Sequence, residues 1–132
     1  MAGVKRFEDL RIWQWGVDLR DEIVRCTESG RALKDLRFRE QVRDSARSVP
    51  RNLAEGFDKF QPREFERFMR IARGSLGETK NHILDGLKHG YFTQDDADRM
   101  LSLVHRCYSG TTHLMRYLHS CNGKPPTGWD VG

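Results

Sequence analysis

The sequence predicts an all-α protein that folds as an antiparallel up-down four-helix bundle. Apolar residues recur at helical spacing through four long segments, and glycines and prolines separate these segments. No stretch sustains the apolar–polar alternation that a half-buried strand requires. The 132 residues suit one domain, and a charged content of 32% is typical of a bundle with solvated outer faces.

The first predicted helix covers residues 8–28, with Glu8 and Asp9 at the positive end of its dipole and Gly30 at its exit. At 3.6 residues per turn it is apolar on two sides. One side carries Leu10, Trp13, Val17 and Val24, and the other carries Ile12, Trp15, Leu19, Ile23 and Cys26. A lone four-helix bundle covers one side of each helix, so the second side needs another chain or a long loop, and we predict contact with another copy of the chain. The candidate interface residues are Ile12, Trp15, Leu19 and Ile23.

The second predicted helix covers residues 36–58 and contains a proline. Its core stripe consists of Phe38, Val42, Ala46, Val49, Leu53 and Phe57. Pro50 lacks an amide hydrogen and clashes with the carbonyl four residues earlier, which predicts a kink. The apolar phase continues through Pro50, which favours a kink over a break into two helices.

The third predicted helix covers residues 62–88, and the fourth begins after Thr93 and ends near residue 119. Pro62 suits the first helical position, Gly90 closes the third helix, and Thr93 with Asp96 resembles a capping box. Core residues of the third helix are Phe65, Phe68, Met69, Ala72, Leu76, Thr79, Ile83 and Leu87; those of the fourth are Met100, Val104, Cys107, Thr111, Leu114, Met115 and Leu118. Residues 1–120 are therefore the expected bundle, and residues 121–132, rich in Gly and Pro, a loose tail.

The composition favours a binding protein of the cytoplasm over an enzyme. Three widely spaced cysteines do not suggest a disulfide framework, and no secretion signal or membrane-spanning segment is recognisable. The sequence contains no phosphate-binding loop, nucleophile elbow or metal-ligand spacing. We therefore expect no catalytic residues, no metal and no cofactor.

The net charge of +4 is concentrated in one part of the chain. Residues 37–73 contain ten basic and six acidic side chains, and nine of the ten cations are arginine, a good phosphate ligand. A polyanion-binding surface and a solvated, salt-bridged helix surface both remain open. The candidate nucleic-acid-binding residues are Arg39, Arg43, Arg47, Arg51, Arg63, Arg67 and Arg70. No aromatic ladder accompanies them, so phosphate contacts should dominate.

Two further patterns flank the core stripes. A polar line on each of helices two and three predicts a seam, with Gln41, Ser48, Asn52, Glu55, Ser75 and Glu78 as candidates. It could be a wet face, a hydrogen-bonded network within or between chains, or an active site. Gly74 and Gly77 point outward at a cost in helix stability, which suggests a close approach by another copy, although simple tolerance remains an alternative.

Two central blocks resemble a known bacterial family. Residues 41–43 (Gln-Val-Arg) with 48–57 (Ser-Val-Pro-Arg-Asn-Leu-Ala-Glu-Gly-Phe) form the first block. Residues 64–68 (Glu-Phe-Glu-Arg-Phe) with 71–79 (Ile-Ala-Arg-Gly-Ser-Leu-Gly-Glu-Thr) form the second. Both are similar to the bacterial four helix bundle proteins encoded in intervening sequences of 23S ribosomal RNA genes, also called the S23 ribosomal protein family. The resemblance extends from about Phe7 to Leu118, and this chain differs in having Asp44 and Arg47 where relatives carry other residues.

The resemblance implies a bundle that assembles into a ring-like homopentamer. It also implies kinship with the accessory protein of diversity-generating retroelements, which binds a reverse transcriptase and nucleic acid through a basic surface. Our leading hypothesis is a non-enzymatic homo-oligomer that binds RNA or a ribonucleoprotein through arginines of helices two and three. The alternative is a protein-interaction scaffold whose arginines form inter-subunit salt bridges with residues such as Glu55 and Glu78.

Overall fold

A computed structural model describes residues 4–124, and these residues contain five α-helices and no β-strand. The helices are α1 (Arg11–Cys26), α2 (Gly30–Lys34), α3 (Leu36–Asp58), α4 (Pro62–Lys88) and α5 (Gln94–Ser120). The bounds predicted for helices two and three agree with α3 and α4, and helix four ends within a residue of the prediction. The all-helical prediction is thus confirmed for the described residues.

The four long helices form a bundle in which each helix has two neighbours. α1 packs against α3 and α5, and α4 packs against the same two helices from the other side. The diagonal pairs, α1 with α4 and α3 with α5, barely touch. The order around the bundle is therefore α1, α3, α4, α5, with the most extensive contact between α3 and α4.

The first predicted helix is shorter and more divided than expected. A 3₁₀ turn at Phe7–Asp9 comes first, and Leu10 then adopts an extended conformation before α1 begins. Helix α1 ends at Cys26, and Gly30, expected as a helix exit, has a φ of +67° and opens the unpredicted helix α2. Five residues are too few to show helical periodicity, so α2 gave no sequence signal.

The reason for assigning one side of α1 to an oligomer interface was wrong. Ile12, Leu19 and Ile23 are buried inside the single chain, with at most 5% of each exposed. A bundle helix that packs between two neighbours buries a wider sector than one stripe, and α1 lies between α3 and α5. The half-buried side is instead the one carrying Trp13 and Val17.

Helix α3 begins at a side-chain cap and continues without a break through Pro50. The carboxylate of Asp35 accepts a hydrogen bond from the Phe38 amide at 3.1 Å. The predicted core stripe is buried throughout, at Phe38, Val42, Ala46, Val49, Leu53 and Phe57. Gly16 of α1 faces this helix, because a Cβ there would lie 3.2 Å from Val49 Cγ1. The missing side chain thus lets α1 approach α3 beside Pro50.

Local sequence signals also set where α4 and α5 begin. Pro62 occupies the first turn of α4, and the Thr93 hydroxyl accepts a hydrogen bond from the Asp96 amide at the start of α5. The predicted core positions of both helices are buried except Leu87, Leu114 and Met115, which are half-buried. Within residues 4–124, no helix is long and apolar enough to cross a membrane. Of the predicted tail, the segment from Pro125 onward and Trp129 with it lie outside the described residues.

Candidate functional site

An open groove between α1 and α3 brings two of the predicted arginines together. Arg47 and Arg51 of α3 line it together with Arg20 of α1. Trp13, Pro50 and Ala54 complete the lining and give it an apolar floor. No carboxylate is among the lining residues. The groove therefore combines three guanidinium groups with an apolar surface.

Helical spacing explains how the two helices contribute to this groove. Arg20 follows Trp13 by seven residues, which places both on the same side of α1. On α3, Arg47 and Arg51 are one turn apart and flank Pro50, which is buried against α1. The sequence interpretation missed Arg20 because it lies outside the arginine-rich segment, although its seven-residue spacing from Trp13 was a usable signal.

The charges in the groove are only weakly compensated. Arg20 Nη2 lies 3.1 Å from Asp21 Oδ1, an exposed pair that water screens. Arg47 and Arg51 are exposed and form no ion pair with any residue in the range 4–124. Two guanidinium groups at the groove are thus available to a ligand from solution.

Two other predicted nucleic-acid-binding residues are engaged within the chain. Arg43 donates from Nε to Thr27 Oγ1 at 2.8 Å and from Nη2 to Thr27 O at 3.2 Å and Val24 O at 3.4 Å. It therefore binds the C-terminal end of α1, and these contacts occupy the donors that a nucleic-acid phosphate would need. Arg39 is largely covered, with a side chain 22% exposed and Nη2 3.4 Å from Glu40.

The predicted arginines of α4 lie elsewhere. Arg67 donates to Glu64 at 2.8 Å and also lies over the Phe68 ring, so it is occupied within its own helix. That hydrogen bond is the main cause that lowers the pKa of Glu64, which keeps the carboxylate ionised beside its partner. Arg63 and Arg70 are exposed but do not line the α1–α3 groove. The seven arginines consequently do not form one surface.

The predicted polar seam is partly assembled between α3 and α4. The hydroxyls of Ser48 and Ser75 lie 2.6 Å apart, and Asn52 donates to the Ser48 hydroxyl at 2.9 Å. Deeper in the contact, Thr79 donates to Ser45 at 2.9 Å. Gln41, Glu55 and Glu78 are exposed and join none of these hydrogen bonds. The seam is therefore an intra-chain network of small hydroxyls and one amide.

The remaining interface candidates have mixed surroundings. A Cβ at Gly77 would lie 2.9 Å from the Tyr108 hydroxyl, so the close approach is made by this chain's own α5. Gly74 faces open space, with nothing within 4 Å of a Cβ. Trp15 is half-buried, and its ring contacts the position of Gly110 on α5. Only Gly74 retains the free outward position that the interface prediction required.

On the α1–α5 side of the bundle, two arginines form ion pairs with two carboxylates. Arg25 lies 2.8 Å from both Glu22 and Asp96, and Arg99 lies 2.7 Å from Asp96 and 3.4 Å from Glu22. Burial raises the pKa of the neighbouring Cys26 thiol to about 11, with Asp96 adding to the shift. The thiol is thus protonated at neutral pH and is a poor nucleophile. Residues 4–124 contain no group of three or more His, Cys, Asp or Glu side chains arranged to hold a metal ion.

Comparison with known proteins places the chain in a family. The model of the 23S rRNA-intervening sequence protein family matches residues 8–110, which include α1 to α4 and most of α5. No curated protein matches the sequence significantly. Because the matched residues span well over half of the chain, this protein belongs to the 23S rRNA-intervening sequence protein family.

Proposed function

We propose that the protein is a non-catalytic RNA-binding bundle and that the α1–α3 groove is its binding surface. The observation that carries the proposal is the convergence of Arg20, Arg47 and Arg51 around a groove that no carboxylate lines. Arginine binds phosphate through two parallel hydrogen bonds, and Arg47 and Arg51 have no acidic partner among residues 4–124. The family description refers to 23S rRNA, which makes RNA the first polyanion to test.

The groove fits the backbone of a polymer better than a small anion. It is open to solvent, and its arginines come from two helices instead of surrounding one point. Phosphate contacts of this kind position a nucleic acid without reading its sequence. Trp13 adds an apolar surface at the groove, against which a sugar or base can pack. We therefore expect modest sequence preference and strong dependence on salt.

The test is binding of fluorescently labelled RNA, measured by anisotropy across a salt series. The variant Arg47→Gln/Arg51→Gln removes two exposed cations that form no ion pair in the described chain. It should weaken binding at least tenfold at low salt and reduce the slope of log K against log salt by roughly 1 to 2 units. The control Arg11→Gln/Arg37→Gln makes the same charge change at exposed positions outside the groove. Equal losses of RNA affinity for both variants would show that binding responds only to net charge, and this would overturn the proposed site.

A second candidate function is self-association into a protein-interaction scaffold. It is favoured by the edge between α3 and α4, where Ile71 is 43% exposed and Glu55 is exposed without an ion pair among residues 4–124. In this alternative, Arg47 and Arg51 of one copy would pair with Glu55 and Glu78 of another.

Native mass measurements separate the two candidates. If the scaffold alternative holds, Arg47→Gln/Arg51→Gln and Glu55→Gln/Glu78→Gln should each lower the oligomer mass at micromolar concentration. If RNA binding is the function of these arginines, only the arginine variant loses RNA affinity, and both variants keep the wild-type mass. A wild-type protein that neither binds RNA at low salt nor associates would contradict both candidates.

A further inference from the structure

A second row of cations lies on α4 and α5, away from the α1–α3 groove. Its members are exposed, and on a helical wheel those of α4 fall within a sector of about 80°. They are Arg70, Arg73, Lys80 and Lys88 of α4, with Arg116 of α5. We call this set the α4–α5 basic face. Arg73 shows that this sector of α4 borders α5, because its guanidinium lies over the Tyr108 ring at 5.7 Å.

The charge on this face is poorly compensated. Among residues 4–124, no ion pair is formed by Arg70, Lys80, Lys88 or Arg116. The α4 sector contains one carboxylate, Glu66, which is 13% exposed and lies 3.7 Å from His119. On α5, Asp98 shares the helical-wheel position of Arg116. The five cations therefore outnumber the carboxylates and project a positive potential into solvent.

The α4–α5 basic face and the α1–α3 groove are on opposite sides of the bundle. This follows from the order α1, α3, α4, α5 around it, because the two helix pairs share no member. Between them, the α3–α4 edge carries exposed acids at Asp44, Glu55, Glu78 and Asp85. The acids interrupt the positive potential, so one continuous basic belt does not form.

The row has the dimensions of a nucleic-acid segment. Arg70 and Lys88 are 18 residues apart on one helix, which is about 27 Å at 1.5 Å per residue. Because these cations are spread along the row, a small anion would meet one cation at a time. A chain of phosphates can meet several of them in succession, and each contact releases counterions.

We propose that the α4–α5 basic face is a second phosphate-backbone surface, so that one chain holds two RNA segments on opposite sides. This inference rests on the proposed RNA binding and extends it from one surface to two. It also assigns a role to residues outside the arginine-rich segment, since Lys80, Lys88 and Arg116 lie in a part of the chain whose total charge is balanced.

The test is the number of short RNA molecules bound per chain at saturation, measured by calorimetry at low salt. At roughly 3.4 Å per nucleotide, the rise of a stacked strand, an RNA of about eight nucleotides matches the length of the row and is sized to fill one surface. The wild-type protein should bind two molecules per chain. Arg70→Gln/Lys80→Gln/Arg116→Gln should bind one, Arg47→Gln/Arg51→Gln should bind one, and the combined variant should lose binding.

The control Arg11→Gln/Lys34→Gln/Arg37→Gln has the same charge change as the α4–α5 variant, at exposed positions outside both surfaces. It should still bind two molecules. Bound RNA should also protect Lys80 and Lys88 from acylation while leaving Lys34 reactive, a readout that does not depend on any substitution.

One molecule per wild-type chain, unaffected by the α4–α5 variant, would overturn the second surface and leave the proposed function standing. No RNA bound by the wild-type protein would overturn both. A change in oligomer mass by the α4–α5 variant, with RNA stoichiometry unchanged, would assign the face to a protein contact and overturn the inference.

Discussion

Arg43 of α3 holds Thr27 at the end of α1 through two hydrogen bonds, from Nε to the hydroxyl and from Nη2 to the carbonyl. Nη2 also lies 3.4 Å from the carbonyl oxygen of Val24, which accepts from the Thr27 amide at 3.1 Å, so one guanidinium contacts two carbonyls at the C-terminal end of α1. A cation at a helix C-terminus also interacts favourably with the helix dipole. Arg43 therefore joins α1 to α3 at the point where the chain turns toward α2.

The first prediction concerns this contact. Arg43→Met keeps most of the apolar stem but removes the donors, and it should lower the free energy of unfolding by about 1 to 2 kcal/mol. Arg43→Lys should recover little, because an ammonium group cannot reproduce the planar fork. Urea denaturation followed by circular dichroism measures both. RNA affinity should stay near that of the wild type.

Arg47→Met is the matched control, since Arg47 is one helical turn away, exposed and without an ion pair among residues 4–124. It should change stability by less than about 0.5 kcal/mol while weakening RNA binding. If Arg43→Met and Arg47→Met lower the free energy of unfolding by the same amount, the contact of Arg43 with α1 does not contribute to stability.

This contrast shows where sequence reasoning succeeded and where it failed for the site. Arg39, Arg43, Arg47 and Arg51 look equivalent in the sequence because each follows the last by four residues. Four residues advance a helix by about 400°, so each arginine is rotated about 40° from the one before. The first two therefore turn toward the chain and the last two toward solvent. The sequence does not show between which two arginines the direction switches from chain to solvent, because that depends on the position of α1.

The fold shows the same division between local and tertiary information. The starts of α4 and α5 depend on Pro62 and Thr93, which act on their own neighbourhood and were identified from the sequence. Asp35, which caps α3, is a signal of the same local kind that the sequence analysis did not use. The burial of Ile12 and Leu19 depends on which helices lie beside α1, and periodicity does not reveal that. A wide apolar surface predicts that something covers it, without identifying whether the cover is the same chain or another.

The second prediction compares two glycines in the middle of helices. A Cβ at Gly56 would lie 2.6 Å from Phe68 Cβ, an atom close to the backbone of α4 that cannot move alone. Gly56→Ala should therefore force α3 and α4 apart and cost about 2 kcal/mol or more. Gly74 has open space around it, so Gly74→Ala should raise stability by up to about 1 kcal/mol through helix propensity.

Thermal unfolding of the two variants tests this pair, with opposite signs expected for the change in melting temperature. The Gly74→Ala variant also tests the interface prediction, because a second copy packed closely against Gly74 would clash with the new methyl group. A drop in both stability and oligomer mass for Gly74→Ala would contradict the open environment of this glycine.

The third prediction concerns the hydroxyl pair of Ser48 and Ser75 at the α3–α4 contact. Their oxygens are 2.6 Å apart, and Ser75 is 9% exposed, so the bond is partly shielded from water. A double-mutant cycle with Ser48→Ala and Ser75→Ala should give a coupling energy of about 0.5 to 1.5 kcal/mol. Asn52 loses a partner only when Ser48 is replaced, so the Ser48→Ala variant should be the less stable single variant.

The unfolding free energies of the two single variants and the double variant, from denaturant titration, supply the cycle. Ser102 is an exposed serine on α5, and Ser102→Ala serves as the control for the change in helix propensity. Strictly additive effects of the two substitutions would mean that the hydroxyl pair contributes nothing specific to the contact between α3 and α4.

The last prediction is a pH dependence that arises at Asp96, where α5 meets α1. Arg25 donates to its carboxylate at 2.8 Å and Arg99 donates at 2.7 Å. The hydrogen bond from Arg25 is the main cause that holds the pKa of Asp96 below its ordinary value of about 3.8. A depressed pKa means that the folded state favours the ionised carboxylate more than the unfolded state does. The contribution to stability is thus fully present above pH 4 and is lost as the pH falls through the folded-state pKa.

Asp96→Asn should therefore destabilise the protein at pH 7, and the stability gap to the wild type should narrow progressively below pH 4. Urea denaturation at pH 7, 4 and 3 measures the gap, and a carbon-13 titration of the side-chain carboxyl reports the pKa directly. The neighbouring Asp95 is exposed and forms no ion pair in the described chain, so Asp95→Asn makes the same change in the first turn of α5 without breaking the network. If the stability gap for Asp96→Asn stays constant from pH 7 to pH 3, the stability that the contacts with Arg25 and Arg99 contribute does not depend on the charge of this carboxylate.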